Sequence, residues 1–271
     1  SRVRSDKCGR EVRRMINKGL TKHLLIYEIR NATGNIITIF FGVIFPLFMS
    51  ILFSNVIAGQ VPVSQQMDVR TSIFLSMIMI IPMATMFIGY AATYSQEIEN
   101  NIPLRLDLFG VEKHTALAAK LLANLIFLLA STAIYFAVDL PLIKIYTPSA
   151  GAVLLLILIV ILLGALLLVI AHSIANLTGK FSRTYALTMF LYFGFMILCG
   201  MMGVQVSDFP PVIQTIAKLL PMTYMGTSTD FLIVWKGGSY NPTNFILSFV
   251  FLGAVAAVLF LISVWKNRRR R

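Results

Sequence analysis

The sequence predicts an all-α membrane protein with six transmembrane helices, and three observations carry that prediction. The chain is 58% hydrophobic with a mean hydropathy of +0.82, well above the apolar share of a soluble domain. Runs of about 20 apolar residues recur along it, each long enough to cross a ~30 Å hydrocarbon core at ~1.5 Å per residue. The period-2 alternation of a membrane β-barrel is absent.

Taken in chain order, residues 1–14, "SRVRSDKCGREVRR", precede Met15 and read as an appended or disordered tail. Residues 15–271 read as one transmembrane domain. It opens on an N-terminal amphipathic interfacial helix. Ile16, Leu20, Leu24 and Tyr27 share a face there, while Lys18, Lys22 and Arg30 fall mainly elsewhere around the wheel. Six spans follow: Ile36–Ile57, Ser72–Ala92, Leu117–Val138, Ala152–Ile174, Tyr185–Val206 and Asn244–Trp265. The run starting at Ile36 is long enough to be a true span rather than a cleavable signal. Cys8 and Cys199 make no disulfide framework and read as unpaired thiols.

Basic residues set the orientation. Only Arg70, Lys144, Lys218 and Lys236 fall on one side, and the other nineteen of the 23 Lys and Arg fall on the opposite one. The positive-inside rule puts both termini and the 97–113 loop in the cytoplasm, and the expected location is a cell membrane, of the bacterial plasma-membrane type. The net charge of +12 is therefore a topological signal, and no nucleic-acid partner is expected. The tail "KNRRRR" reads as a lipid-headgroup anchor.

Between spans 2 and 3 lies "EIENNIPLRLDLFGVEK", residues 97–113. Asn100 or Asn101 suits the N-cap of a short helix, Pro103 its first turn, and Gly110 the C′ position that ends it. Leu104, Leu108 and Val111 line one edge, with Ile102, Leu106 and Phe109 beside them. A helix of about two turns is marginal alone, so this face must pack on something. Charged neighbours (Glu97, Glu99, Arg105, Asp107) favour a protein partner over lipid.

Before span 6, Val212–Leu220 is an apolar helix too short to cross, expected to start at an Asp208 cap and to end at Pro221. Met222–Trp235 reads as a second short helix closed by Lys236-Gly237-Gly238. Such a pair makes an outer re-entrant hairpin, tolerable where protein covers its broken backbone.

The chemistry that is missing narrows the function. No nucleotide-binding G-x-x-x-x-G-K-[ST], no H-E-x-x-H and no zinc-spaced Cys/His cluster occurs. The chain is not read as an enzyme. None of the six predicted spans carries a central Asp, Glu, Lys or Arg, which disfavours proton- or sodium-driven transport. His172, Asn124, Ser131 and Thr132 read as helix-packing polar residues.

The two unusual stretches resemble the ABC-2-type permeases, the membrane subunits of ATP-driven exporters. That family reads Glu-Arg-Glu-x-Gly-Thr, a leucine-rich turn, Pro-Val-Ser-Arg, and a Gly-Lys that opens span 3. Glu97, Ile98 and Glu99, then Leu104, Arg105 and Leu106, then Gly110 to Lys113, and Lys120 match it in order. Asn101, Ile102 and Gly110 depart from the usual glycine, threonine and proline. Upstream of span 6 the family reads Pro-x-x-x-Gln, apolar residues, then Leu-Pro-x-Thr-Tyr. Pro211, Gln214, Leu220, Pro221, Thr223 and Tyr224 match that.

The resemblance implies a cytoplasmic coupling helix, with Glu97, Glu99, Leu104, Arg105, Leu108, Gly110 and Lys113 engaging a soluble ABC ATPase subunit. ATP and Mg would sit on that subunit, so no cofactor is expected on this chain. It implies an outer gate at Pro211, Gln214, Pro221 and Tyr224, and a second permease copy, as a homodimer or a heterodimer with a similar permease. Membrane lipid surrounds both. Spans without charged ligands suit an amphipathic or lipidic cargo such as a drug, an antimicrobial peptide or a lipid-linked molecule. An intramembrane enzyme would need an acid, nucleophile or metal cluster that the spans lack. A non-transport assembly or immunity protein that binds partners in the bilayer would show a similar loop, and is the alternative.

Overall fold

The computed structural model describes residues 22–226, 230–239 and 241–269. Within them α1 covers residues 22–34, and the first three spans are α2 (Ile36–Gln60), α3 (Val63–Glu99) and α5 (Lys113–Leu142). The short α4 (Ile102–Leu108) joins α3 to α5. Spans 4 and 5 are α6 (Ala150–Thr178) and α7 (Phe181–Leu198). Three short helices follow, α8 (Pro211–Ala217), α9 (Thr223–Gly226) and α10 (Asp230–Trp235), before span 6, α11 (Thr243–Arg269). No strand occurs among the described residues. The six expected spans are therefore present, and Ile16, Leu20 and Cys8 lie outside the described residues.

Span 2 is the hub. In its most apolar stretch 89% of residues are buried, against 17% for α11, which packs along α6 at the edge. Both α2 and α3 widen into a π turn, at Phe40–Ile44 and Met83–Gly89. Proline explains the first: Pro46 has no N–H to offer the Gly42 carbonyl, so the helical ladder is interrupted there. The two wide turns face each other at very close range. A Cβ on Gly42 would fall 2.7 Å from Thr85 Cγ2, and one on Gly89 would fall 2.6 Å from Thr38 Oγ1. Small residues permit such backbone approach inside a membrane. We expect Gly89→Ala to lower stability by about 1–3 kcal/mol through overpacking, read as thermal unfolding in detergent. Thr38→Ala in the same chain should restore most of the loss.

Spans 2, 3 and 5 differ most in extent from their hydropathy, and span 2 runs over Val63–Glu99 rather than Ser72–Ala92. Span 5 stops at Leu198 rather than Val206 because Gly200 takes a positive φ of 74°. The Gly200 and Met201 amides then close back on the carbonyls of Ile197 and Met196. Span 3 runs on to Leu142 and so encloses Asp139, which is fully buried beside Ser50 and Tyr135. Glu97 and Lys120 also fall inside helices that cross, near their ends. The expectation of charge-free span centres holds, but the spans do carry buried charges toward their termini.

The hairpin is built differently from expectation. Its first helix ends at Ala217, well before Pro221, and Pro221 lies in a following turn held by the Thr223 hydroxyl, which donates to the Ala217 carbonyl at 2.6 Å. Asp208 does not cap it; Pro210 holds the N-cap position, and Gln214 Nε2 donates to the Phe209 carbonyl at 2.8 Å instead. The expected second helix is seen as α9 and α10, and residues 227–229 between them lie outside the described residues. The Lys236-Gly237-Gly238 closure is as read: Gly237 has φ 86°, and the Gly238 amide donates to the Ile233 carbonyl at 2.8 Å. Trp235, fully buried, donates from Nε1 to the Tyr146 carbonyl at 2.9 Å and packs 5.8 Å from Phe74. That ties α10 to the hub.

Candidate functional site

One end of the bundle carries α1, the α3–α5 connection and the C-terminal end of α11; we call it the near end. There Asn101 takes a left-handed φ of 56°, a conformation asparagine tolerates better than most residues with a Cβ. It does so at the position where the resembled family has glycine. Asn101 occupies the N-cap position without a side-chain bond, and Pro103 fills the first turn of α4. Gly110, at φ 78°, ends the helix: its amide donates to Asp107 O at 3.0 Å, and that of Val111 to Leu106 O at 2.9 Å. Both 6→1 and 5→2 closures are made, with the apolar C3–C″ contact that accompanies them.

The apolar residues of α4 divide sharply. Leu106 and Val111 pack inward on Leu24, Ala116 and Ala119. Leu104, Leu108 and Phe109 point out, at 59%, 80% and 84% exposure. Val111 thus belongs to the inner face and not, as its spacing suggested, with Leu104 and Leu108. Arg105 and Gly110 are exposed alongside the outer face.

The acidic residues before α4 are not part of that face. Glu97 is buried, paired with the Lys120 ammonium and accepting from Asn31 Nδ2 at 3.0 Å. Lys120 also lies 3.4 Å from Glu28, and all three side chains are at least nine-tenths buried. This three-member ion cluster clamps α1 to the feet of spans 2 and 3. Burial pushes the Glu28 carboxyl above its ordinary range, and Lys120 draws it part of the way back. Glu99 accepts from the Phe181 amide at 2.9 Å, satisfying one of the free N–H groups in the first turn of span 5. Lys113 begins α5. Of the residues expected to engage a partner, Leu104, Arg105, Leu108 and Gly110 are exposed on or beside α4, Glu97 is buried in the ion cluster, and Glu99 stays exposed while it accepts from the Phe181 amide.

Beside the ion cluster, Tyr94 stacks on His172 with ring centres 4.7 Å apart, and the Tyr90 hydroxyl lies 2.8 Å from His172 Nδ1. His172 is thus held by helix packing and one hydrogen bond. Asn124 and Thr132 donate to carbonyls one turn back, Lys120 O and Leu128 O, both at 2.8 Å. Sequence reading missed Glu28, although the signal was present: it falls on the same helical stripe as Leu24 and Asn31, where a carboxylate needs a buried counter-ion.

Pro211, Gln214, Pro221 and Tyr224 sit together at the opposite, far end. Pro211 opens α8, Pro221 is buried, and Tyr224 donates to the Lys218 carbonyl at 2.9 Å. Pro221 and Tyr224 belong to the turn that joins α8 to α9, while Gln214 braces the loop that enters α8. A cavity of about 430 Å³ lies between this region and spans 1 and 2, walled by Phe53, Asp68, Met77 and Met201 among others. Nearby, Lys236 pairs with Asp68, and its ammonium stands 4.3 Å over the Tyr146 ring.

No curated protein and no solved structure matches the chain. A family model does, described as "ABC-2 family transporter protein", over residues 62–265. The match runs from just before span 2 through nearly all of span 6 and takes in both the α4 connection and the far-end hairpin, and it agrees with the six helices and the motif order above. The chain belongs to the ABC-2 family of transporter proteins, as a multi-pass membrane permease.

Proposed function

We propose that this permease is the membrane subunit of an exporter, driven by ATP hydrolysed on a separate ABC ATPase, with α4 as the element the ATPase holds. One observation carries this reading: a seven-residue helix capped at its C-terminus, rigidly mounted through Leu106 and Val111, presents Leu104, Leu108 and Phe109 outward. Exposed apolar side chains on a charged surface mark a protein contact. The near end faces the cytoplasm in this reading, which the basic-residue asymmetry supports. Nucleotide-driven movement of the ATPase pushes α4. The push reaches spans 2 and 3 through the short connections on either side, and α1 through Leu24 and the Glu28–Lys120–Glu97 clamp.

A path for cargo needs two permease copies, identical or similar. Span 2 fills the centre of a single chain, and the far-end cavity lies at one end of it. Apolar walls suit an amphipathic or lipidic cargo moving outward. A photo-reactive phenylalanine analogue at Leu108 should capture the ATPase subunit in membranes, whereas the same group at Leu158 on the outer surface of α6 should not. Absence of capture at Leu108 with an intact, co-expressed ATPase would remove the docking assignment. Orientation has its own check. Single cysteines at Lys113 and Arg183 should react only from the cytoplasmic side, and those at Ser64 and Ser239 only from outside; outside labelling of Lys113 would overturn the topology.

A further inference from the structure

We propose that the near-end cavity beneath α4 is a binding site for a lipophilic monovalent cation, an organic ammonium or phosphonium with an apolar body. The assignment of that cation as cargo rests on the exporter reading; the binding site itself does not.

The argument starts from charge. Glu28 and Glu97 share one ammonium, that of Lys120, and all three groups are at least nine-tenths buried. Two carboxylates and one lysine leave one carboxyl without a counter-ion inside the cluster, in keeping with burial holding the Glu28 carboxyl above its ordinary range, and an added cation would favour its ionised form. Water cannot screen it well at that depth, so a cation placed against it is attracted far more strongly than at a surface. The Asn31 amide donates one hydrogen bond to Glu97 but brings no charge.

The space beside the cluster fits such a ligand. A cavity of about 260 Å³ touches Glu28, Glu97 and Lys120 and is otherwise walled by Leu106, Val111, Ala116 and the Tyr94–His172 stack. A second, of about 440 Å³, shares Tyr94, Pro103, Leu117 and His172 with the first and so adjoins it. Together the two adjoining cavities have the scale of a small-molecule site. Away from the charged groups the walls are largely aromatic and aliphatic, which favours an apolar body over a hydrated metal ion. They reward an apolar body, and the carboxylates repel an anionic one.

The second cavity also shows a route. Phe260, Ser263 and Val264 of α11 form one side and Leu117 of α5 the other, and Leu117 and Phe260 are both exposed on the lipid-facing surface. A lipophilic cation concentrated in the adjoining leaflet reaches the site between spans 3 and 6. Because Leu104 and Pro103 of α4 are also in the wall, occupancy bears directly on the helix that docks the ATPase.

The test uses the purified full chain in nanodiscs and radiolabelled tetraphenylphosphonium as probe, with binding measured at equilibrium. Saturable binding is expected, with affinity lowered at least tenfold in Glu28→Gln, which removes the surplus carboxyl and leaves the Lys120–Glu97 pair. Leu117→Trp, which fills the route without touching a charge, should lower it comparably. Neutral triphenylphosphine oxide should not displace the probe. Lack of saturable binding, unchanged affinity in both variants, or equal displacement by the neutral competitor would overturn the site. None of these measurements involves the ATPase, so they fail or succeed independently of capture at Leu108.

Discussion

Replacing Lys120 with methionine should destabilise the protein by about 3–5 kcal/mol, the range found when one member of a buried ion pair is removed. The physical reason is the charge left behind. Glu28 and Glu97 would face each other, both buried, with no cation between them and only the Asn31 amide as a donor to Glu97. Helix α1 would then be held mainly by Leu24 against Val111 and Ala119. The variant should therefore lose α1 first, seen as proteolysis at Lys22 or Arg30 before the bundle melts. Restoring neutrality discriminates this cause from lost packing. Lys120→Met combined with Glu28→Gln and Glu97→Gln should recover most of the stability, since two amides cost far less to bury than two carboxylates. Thermal unfolding of the three proteins in one detergent decides the matter. A Lys120→Met variant as stable as the parent would show that the clamp is not built as described.

The second large effect concerns binding and leaves the fold alone. Leu104→Asp together with Leu108→Asp should weaken ATPase affinity by about a hundredfold or more, since each change places an unpaired carboxylate in a dry contact, and about 1.4 kcal/mol is a factor of ten. Both side chains are more than half exposed in the permease, so its own melting should move little. Leu106→Asp supplies the mirror image. That side chain packs inward with Val111 and Leu24, so its substitution should lower stability and undock α4 before any partner is considered. Co-purification of the ATPase and thermal unfolding, measured on both variants, separate the two faces. Equal behaviour of the inner and outer variants would show that α4 has no distinct docking face.

Comparison of these three leucines shows what was legible in the chain. Pro103 and Gly110 mark the ends of α4 through local backbone chemistry, so the helix could be placed from a few neighbouring residues. Which of its leucines faces outward could not, because a two-turn helix with apolar residues around most of its circumference has no unique buried stripe. The inner face is chosen by Leu24, Ala116 and Ala119, which reach it only in the folded chain. The charges around α4 follow the same rule. Glu97 and Glu99 look alike as acids beside a docking helix, yet Glu97 is buried against Lys120 while Glu99 stays exposed and caps span 5 at Phe181.

Spans, orientation signal and family came from the sequence by itself, because lipid acts on each segment separately. A run of apolar residues must cross, a basic loop stays behind, and a glycine with positive φ ends a helix wherever it lies. Hydropathy misjudged only the span ends: glycine stopped span 5 early, and span 3 continued past Asp139. The tertiary structure alone decided which span is central, where α2 and α3 approach through Gly42 and Gly89, and how Glu28, Glu97 and Lys120 combine. Those outcomes depend on partners brought together from distant parts of the chain. Burial and charge compensation are properties of the neighbours a side chain acquires, and no local stretch of sequence carries them.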